Sequence, residues 1–237
     1  MKDISFFQFA VPGKRHTESH VACHDRTKGV NDGAVAGISL ADGAGSCRYA
    51  AEGAELACAR IHEYMRINFT RAAAPENLWE MRSFIARDLK FALETLATTL
   101  DCNVSEVGST LLYAGTNSEK LVTVHLGDGC IYGICKNEVR VISAPENGRS
   151  EQFTYLTTSP GACLKIRVQV FPINEFQVVC LCSDGFPAEE HIAQISPFVT
   201  AGVADFKKIN FLAAQETKSC SPVDDAAYAA MSLPPSM

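Results

Sequence analysis

Residues 176–186 read FQVVCLCSDGF, and the pattern repeats at 34–46 in AVAGISLADGAGS: a near-continuous apolar run that stops at Asp-Gly. Runs of this length without polar alternation suit strands buried on both faces. The glycine reaches backbone angles that other residues avoid, so the preceding carboxylate can lean into a cleft while a nearby carbonyl stays free to ligate. Two more aspartates stand at comparable boundaries, Asp25 in CHDR and Asp224 in SPVDDAAYAAM. Delivered to one shared edge, these acids would make a site for a hard divalent cation. Asp-Gly recurs at 32–33, 42–43, 128–129 and 184–185, three of the four after apolar runs. Hairpin turns give the same pattern, so convergence is an inference about topology.

A chain of 237 residues, 47% hydrophobic and 20% charged, can bury a sizeable core. No Pro/Ser/Gly linker, internal repeat or low-complexity tract divides it, and one domain over residues 1–237 is expected. A formal charge of −6 gives no overall electrostatic reason to bind nucleic acid or an anionic membrane. The ten cysteines contain no C-x-x-C pair, and Cys180 and Cys182 alternate within an apolar strand, so most read as small core residues. The N-terminal apolar run is too short for a signal segment, and no stretch of about 18 apolar residues occurs. A reduced, cytoplasmic compartment is the expectation.

Along the chain, Ile4 to Val11 suggests a first strand, and a polar loop from Lys14 to Gly33 carries His16, His20, Cys23, His24 and Asp25. Ala34 to Ala41 reads as a strand. Helical spacing runs from Arg48 to about Arg71, with Ser46 as N-cap, and again after Pro75 towards Leu100, with Trp79 on the apolar face. Six short strands follow Asn103, read as antiparallel meanders; helices near 188–195 and 205–216 precede a last strand at 226–233. The sum is an α+β protein, a four-layer α-β-β-α sandwich of two antiparallel sheets flanked by helix pairs.

Four segments, SLADGAGSCRYAAEGAELA, GSTLLYAGTNSEKLVTVHLGDGCIYGI, VVCLCSDGF and SPVDDAAYAAM, resemble in order and texture the metal-dependent type 2C protein phosphatases, over about Gly13 to Met231. The likeness is to the short bacterial branch, where a His precedes the early Asp by nine residues, as His16 precedes Asp25. It implies hydrolysis of phosphoserine or phosphothreonine by a metal-activated water, with two Mn²⁺ or Mg²⁺ ions and room for a third. Asp42 then resembles the residue bridging the two ions, the carbonyl of Gly43 a further ligand, and Asp25 the early acid. Asp184 and Asp224 resemble the late acids on the second ion, and Asp128 the partner of Asp184 on a weaker third. The partners implied are a phosphorylated protein and a cognate Ser/Thr kinase. Oxygen-only ligands suit these ions, and no cysteine nucleophile is required.

The sequence departs from that pattern in places. His20 stands where the family commonly grips phosphate with Arg; it could bind phosphate, act as a general acid or be a polar loop residue, and Lys14, Arg15 or Arg26 could supply the cation. His24 replaces an acid and reads as a neighbour of the ligands. Asp224-Asp225 stands where Asp-Asn is common, and Asp224 is the chosen ligand. The segment Pro145 to Pro160 resembles a flap beside the cleft, from which Arg149, Gln152 and Thr157 could meet substrate; His125 reads as a satisfied buried histidine. Two other functions fit the same residues: a catalytically silent relative that binds a partner, and a two-metal phosphohydrolase of small esters.

Overall fold

The computed structural model describes residues 4–147, 154–201 and 205–234. Ten strands occur among them: β1 (Phe6–Val11), β2 (Arg26–Asn31), β3 (Ala36–Ala41), β4 (Leu111–Thr116), β5 (Lys120–Leu126), β6 (Cys130–Ile134), β7 (Val139–Ser143), β8 (Arg167–Pro172), β9 (Val178–Cys182) and β10 (Ala226–Ser232). The helices are α1 (Lys14–Glu18), α2 (Ala50–Ala72), α3 (Leu78–Thr99), α4 (Ala162–Lys165), α5 (Ala188–Thr200) and α6 (Phe206–Cys220). Two five-stranded antiparallel sheets form, ordered β1-β10-β9-β6-β7 and β2-β3-β4-β5-β8. This is the α+β sandwich expected from the sequence.

The apolar runs are explained by burial on both faces. Along β4, Leu111 and Tyr113 face α2 and α3 while Leu112 and Ala114 face the opposite sheet. Along β9, Val179 and Leu181 face that same inter-sheet core while Val178, Cys180 and Cys182 pack towards α5 and α6. Period-2 alternation persists, but both sets are apolar. All ten cysteines are free thiols. No described helix is long and apolar enough to cross a membrane.

Register decides where the acids go. Arg26 pairs with Ala41, Leu40 with Leu112, and Leu111 with Leu126, so the start of β2, the end of β3, the start of β4 and the end of β5 share one edge. In the other sheet Cys130 pairs with Cys182 and Cys182 with Tyr228, which aligns the start of β6, the end of β9 and the start of β10. The β5–β6 turn crosses between sheets and joins the two edges. Asp25, Asp42, Asp128, Asp184 and Asp224 all flank these ends; Asp32-Gly33 alone makes a hairpin at the far end of β2 and β3.

Several details differ from the sequence reading. The polar loop 14–33 contains α1 and β2, because RTKGVN is an edge strand with only intermediate burial and carries no apolar run. Ser46 does not cap α2: the helix starts at Ala50, and Tyr49 N–H donates to Glu106 O instead. The six later strands divide between the two antiparallel sheets, β4, β5 and β8 in one and β6, β7 and β9 in the other. Trp79 is 62% exposed, against an Arg82 guanidinium. The buried stripe of α3 is Met81, Ile85, Leu89, Leu93 and Ala97; Trp79 and Phe91 each lie two residues from a stripe member, about 200° around the helix.

Buried polar side chains tie the layers. His125 of β5 lies between the sheets, its Nε2 2.9 Å from Gly127 O and its Nδ1 2.9 Å from Ser143 Oγ of β7. A carbonyl only accepts, so Nε2 carries the proton and Ser143 donates to Nδ1. The sequence reading of His125 as a satisfied buried histidine holds. On the other face His191 of α5 donates from Nε2 to Ile209 O at 3.0 Å and accepts from Tyr132 Oη at 2.6 Å.

Burial, aided by the Arg167 charge, pushes His125 down to about 3 although Gly127 O favours its protonated form. The unfolded chain protonates this ring near 6.5, so below that pH it binds more protons than the fold does. The stability His125 contributes is therefore complete above pH 6.5 and is lost as pH falls towards 3. In urea unfolding measured between pH 7 and 4.5, His125→Gln is expected to flatten the acid-side slope by up to about 1.4 kcal/mol per pH unit. Parallel slopes in variant and wild type would refute this.

Candidate metal centre

Each acidic turn is held by the backbone beside it. Asp42 N–H donates to Thr110 Oγ1 at 2.9 Å, and Asp42 O accepts from Thr110 N–H at 2.8 Å, clamping the end of β3 to the start of β4. Gly43 bridges to Ser109, and a Cβ here would stand 2.7 Å from Ala50 O, so only glycine lets α2 begin so close. Asp128 sits on the sheet-crossing turn, where Gly127 O accepts from both His125 Nε2 and Glu146 N–H. Ser183, before Asp184, exchanges two bonds with Ala227, tying the ends of β9 and β10. Arg26 donates to the carbonyls of Cys23 and Asp25 at 2.7 and 2.8 Å, fixing the turn before β2.

Carboxylate oxygens of Asp42, Asp128 and Asp184 all lie within 4.8 Å of one another. Asp25 is 1% exposed, and among the described residues neither of its carboxylate oxygens has a hydrogen-bond partner; Asp128 Oδ1 is likewise buried and unpartnered. Burial, together with neighbouring carboxylates, raises Asp25 to about 7 and Asp184 to about 6, and holds Asp42 well above the ordinary carboxylate range. Asp128 is also raised, chiefly by burial. Buried oxygens of Asp25 and Asp128 without partners among the described residues, set beside further carboxylates, fit a hard divalent cation.

Asp224 lies beside this cluster, not in it. Its carboxylate is exposed, with Oδ2 3.8 Å from Arg15 Nη1 and Oδ1 accepting from Asp225 N–H. Asp225 is buried and committed elsewhere: it accepts from Gly13 N–H at 2.9 Å, from His16 Nδ1 at 2.8 Å and from His24 N–H. Burial works to raise the Asp225 pKa, but these donors hold it below the ordinary value. Asp225 thus straps the N-terminal loop to the β10 edge. Sequence reading missed this role, for which the doublet Asp224-Asp225 was the only signal. It also missed Thr110, which nothing in STLLYAG distinguishes from a strand threonine.

His24 packs its ring 4.3 Å from that of His16, with Nδ1 buried and unpartnered among the described residues. His20 is exposed with φ +55°. Thr157 is buried, and its hydroxyl accepts from Ser109 N–H at 3.3 Å. Arg149 and Gln152 lie outside the described residues.

The two-sheet sandwich is a fold shared with solved bacterial serine phosphatases. A solved bacterial serine phosphatase superposes with a TM-score of 0.73 at 14% identity, covering 99% of each chain. The serine/threonine phosphatase Stp1 from Staphylococcus aureus gives 0.73 at 13%, covering 99% of this chain and 96% of that one. RsbX, solved in complex with magnesium, gives 0.64 at 14%, covering 99% and 97%. At such identities the likeness establishes the fold. No curated protein sequence matches the chain. The model of the protein phosphatase 2C family matches residues 12–216, and the chain belongs to that family.

Gly127 has φ +113°, and a Cβ there would lie 2.6 Å from Thr110 Cγ2, the side chain that fixes Asp42. Gly127→Ala combines left-handed strain with this clash and is expected to cost about 2–3 kcal/mol in urea unfolding. A loss within about 0.5 kcal/mol of wild type would show that the turn relaxes freely.

Proposed function

We propose that the chain is a metal-dependent serine/threonine protein phosphatase. One observation carries this reading: in a member of the protein phosphatase 2C family, Asp42, Asp128 and Asp184 converge within 4.8 Å, beside a buried Asp25 whose oxygens have no hydrogen-bond partner among the described residues. Asp42 and the Gly43 carbonyl would hold two Mn²⁺ or Mg²⁺ ions, with Asp25 as the early acid and Asp184 and Asp224 on the second ion. Asp128 with Asp184 would hold a weaker third. Magnesium in the RsbX structure supports the choice of ion. When bound, such ions lower the pKa of water and neutralise phosphate charge. The substrate is then a phosphorylated protein, made by a Ser/Thr kinase.

The chain's own residues divide the remaining work. Arg26 spends its guanidinium on the carbonyls of Cys23 and Asp25 and lies 3.5 Å from Glu55, so it holds the Asp25 turn. Arg15 is exposed beside Asp224, on a helix anchored to the β10 edge through His16 and Asp225. With Asp224 among the residues that would hold an ion, Arg15 would be left to grip the substrate phosphate, with His20 further along the same loop. The guanidinium matches phosphate oxygens bidentately; imidazole cannot.

Hydrolysis of p-nitrophenyl phosphate is expected to require added Mn²⁺ or Mg²⁺ and to stop with a chelator, and Asp42→Asn and Asp184→Asn to lower kcat at least 100-fold with the fold intact. Undiminished turnover after exhaustive metal removal contradicts the reading. A phosphopeptide should be preferred over small phosphomonoesters, or the small-ester alternative gains.

Arg15→Ala should raise KM for a phosphopeptide about 5–20-fold with little change in kcat, and Arg15→Lys should recover part of the loss. His20→Arg should lower KM if the ring binds phosphate, or depress kcat if it protonates the leaving group. Wild-type kinetics in all three variants would remove both residues from substrate recognition.

A further inference from the structure

A cavity of about 550 Å³ lies away from the acidic cluster, between α3 and the segment Thr157–Cys163 that leads into α4. Its volume falls in the range of about 300–1,000 Å³ that holds small organic ligands. Ala86, Leu93, Val104 and Ala162 make an apolar lining, while Arg87 and Lys90, one turn apart on exposed positions of α3, supply two cations. Glu94 is the one acid in this lining, 3.7 Å from Lys90, which leaves the cavity with a net positive charge. The Arg87 guanidinium lies over the Phe84 ring, its centre 5.1 Å from the centroid, a cation–π contact that favours this placement.

We propose that this cavity binds a small organic anion with an apolar body and a single acidic head, the body against Ala86, Leu93, Val104 and Ala162 and the head at Arg87 and Lys90. A purely polar anion would leave the apolar lining unmatched, and a neutral apolar molecule would leave the cations unused. The cavity wall also reaches the acidic centre. Thr157 N–H donates to Ser109 O at 2.8 Å, Ser109 N–H donates back to Thr157 Oγ1, and Ser109 bridges to Gly43. Occupancy therefore bears on the turn that carries Asp42 and Gly43. The binding claim stands independently of the proposed phosphatase activity.

Isothermal titration of the full chain, without added metal, uses sodium decanoate as the charged probe and 1-decanol as the uncharged one. Decanoate is expected to bind saturably with one site and at least 10-fold more tightly than decanol. The double variant Arg87→Ser/Lys90→Ser, altered only at exposed positions, should lose that preference. Ala86→Trp, which fills the cavity, should weaken both probes at least 10-fold, with circular dichroism confirming the fold. Absence of saturable decanoate binding to wild type, equal affinity for the two probes, or wild-type affinity in the double variant would each overturn the proposal. A decanoate-dependent change in p-nitrophenyl phosphate turnover, absent from the double variant, would establish the link to Gly43; binding with unchanged turnover would overturn that link while leaving the site.

Discussion

Mutual repulsion among carboxylates pressed onto one sheet edge is the constraint on which the rest of this structure turns. Two unit charges 4.8 Å apart repel by roughly 3.5 kcal/mol at an effective dielectric near 20, less where solvent reaches them, as it does Asp184. Folding alone gives these groups no reason to meet. Antiparallel register makes the meeting unavoidable: with Leu40 opposite Leu112, Leu111 opposite Leu126 and Cys130 opposite Cys182, the acidic turns have nowhere else to go. Burial first, and neighbouring carboxylates after it, raise the proton affinities of Asp25, Asp42, Asp128 and Asp184, so without a cation protonation is the alternative means of relieving the repulsion.

Holding such an edge together takes cohesion close by. Thr110 clamps Asp42 from two directions, Ser183 and Ala227 lock β9 to β10, and His125 ties the sheet-crossing turn to the inter-sheet core. None of these side chains belongs to the acidic cluster, yet each fixes a turn that does. Asp225 works by the opposite logic from its neighbours: it is a buried carboxylate with backbone and imidazole donors, so it stays ionised and serves as a strap. Two adjacent aspartates thus receive different tasks from the number of donors that reach them.

What the sequence made legible follows from which features are local. The apolar runs before Asp42 and Asp184 revealed doubly buried strands, and the sandwich followed, because strand burial is written into composition at each position. The metal-site candidates were nameable for the same reason. Partnership across sequence was not. The edge strand β2 lacked an apolar run, and the start of α2 is set by a carbonyl at Glu106 rather than by Ser46. Trp79 was placed in the core because α3 carries more large apolar residues than its buried stripe can take; which ones lose depends on the angle at which the helix meets the sheet. The task of Asp225 depends on contacts more than 200 residues away.

The same register that gathers the acids also explains how distant surfaces can bear on them. Ser109 is the residue immediately before Thr110, so it shares the clamp on Asp42 and pairs directly with Gly43. It is also the residue that Thr157 grips. A displacement of the segment around Thr157 must therefore either break two backbone-centred hydrogen bonds or carry the Asp42 turn with it. Buried hydrogen bonds are costly to leave unmade, which favours movement as a unit. The edge that gathers the acids is thus joined through Ser109 to the segment around Thr157, so a shift of that segment reaches the turn that carries Asp42 and Gly43.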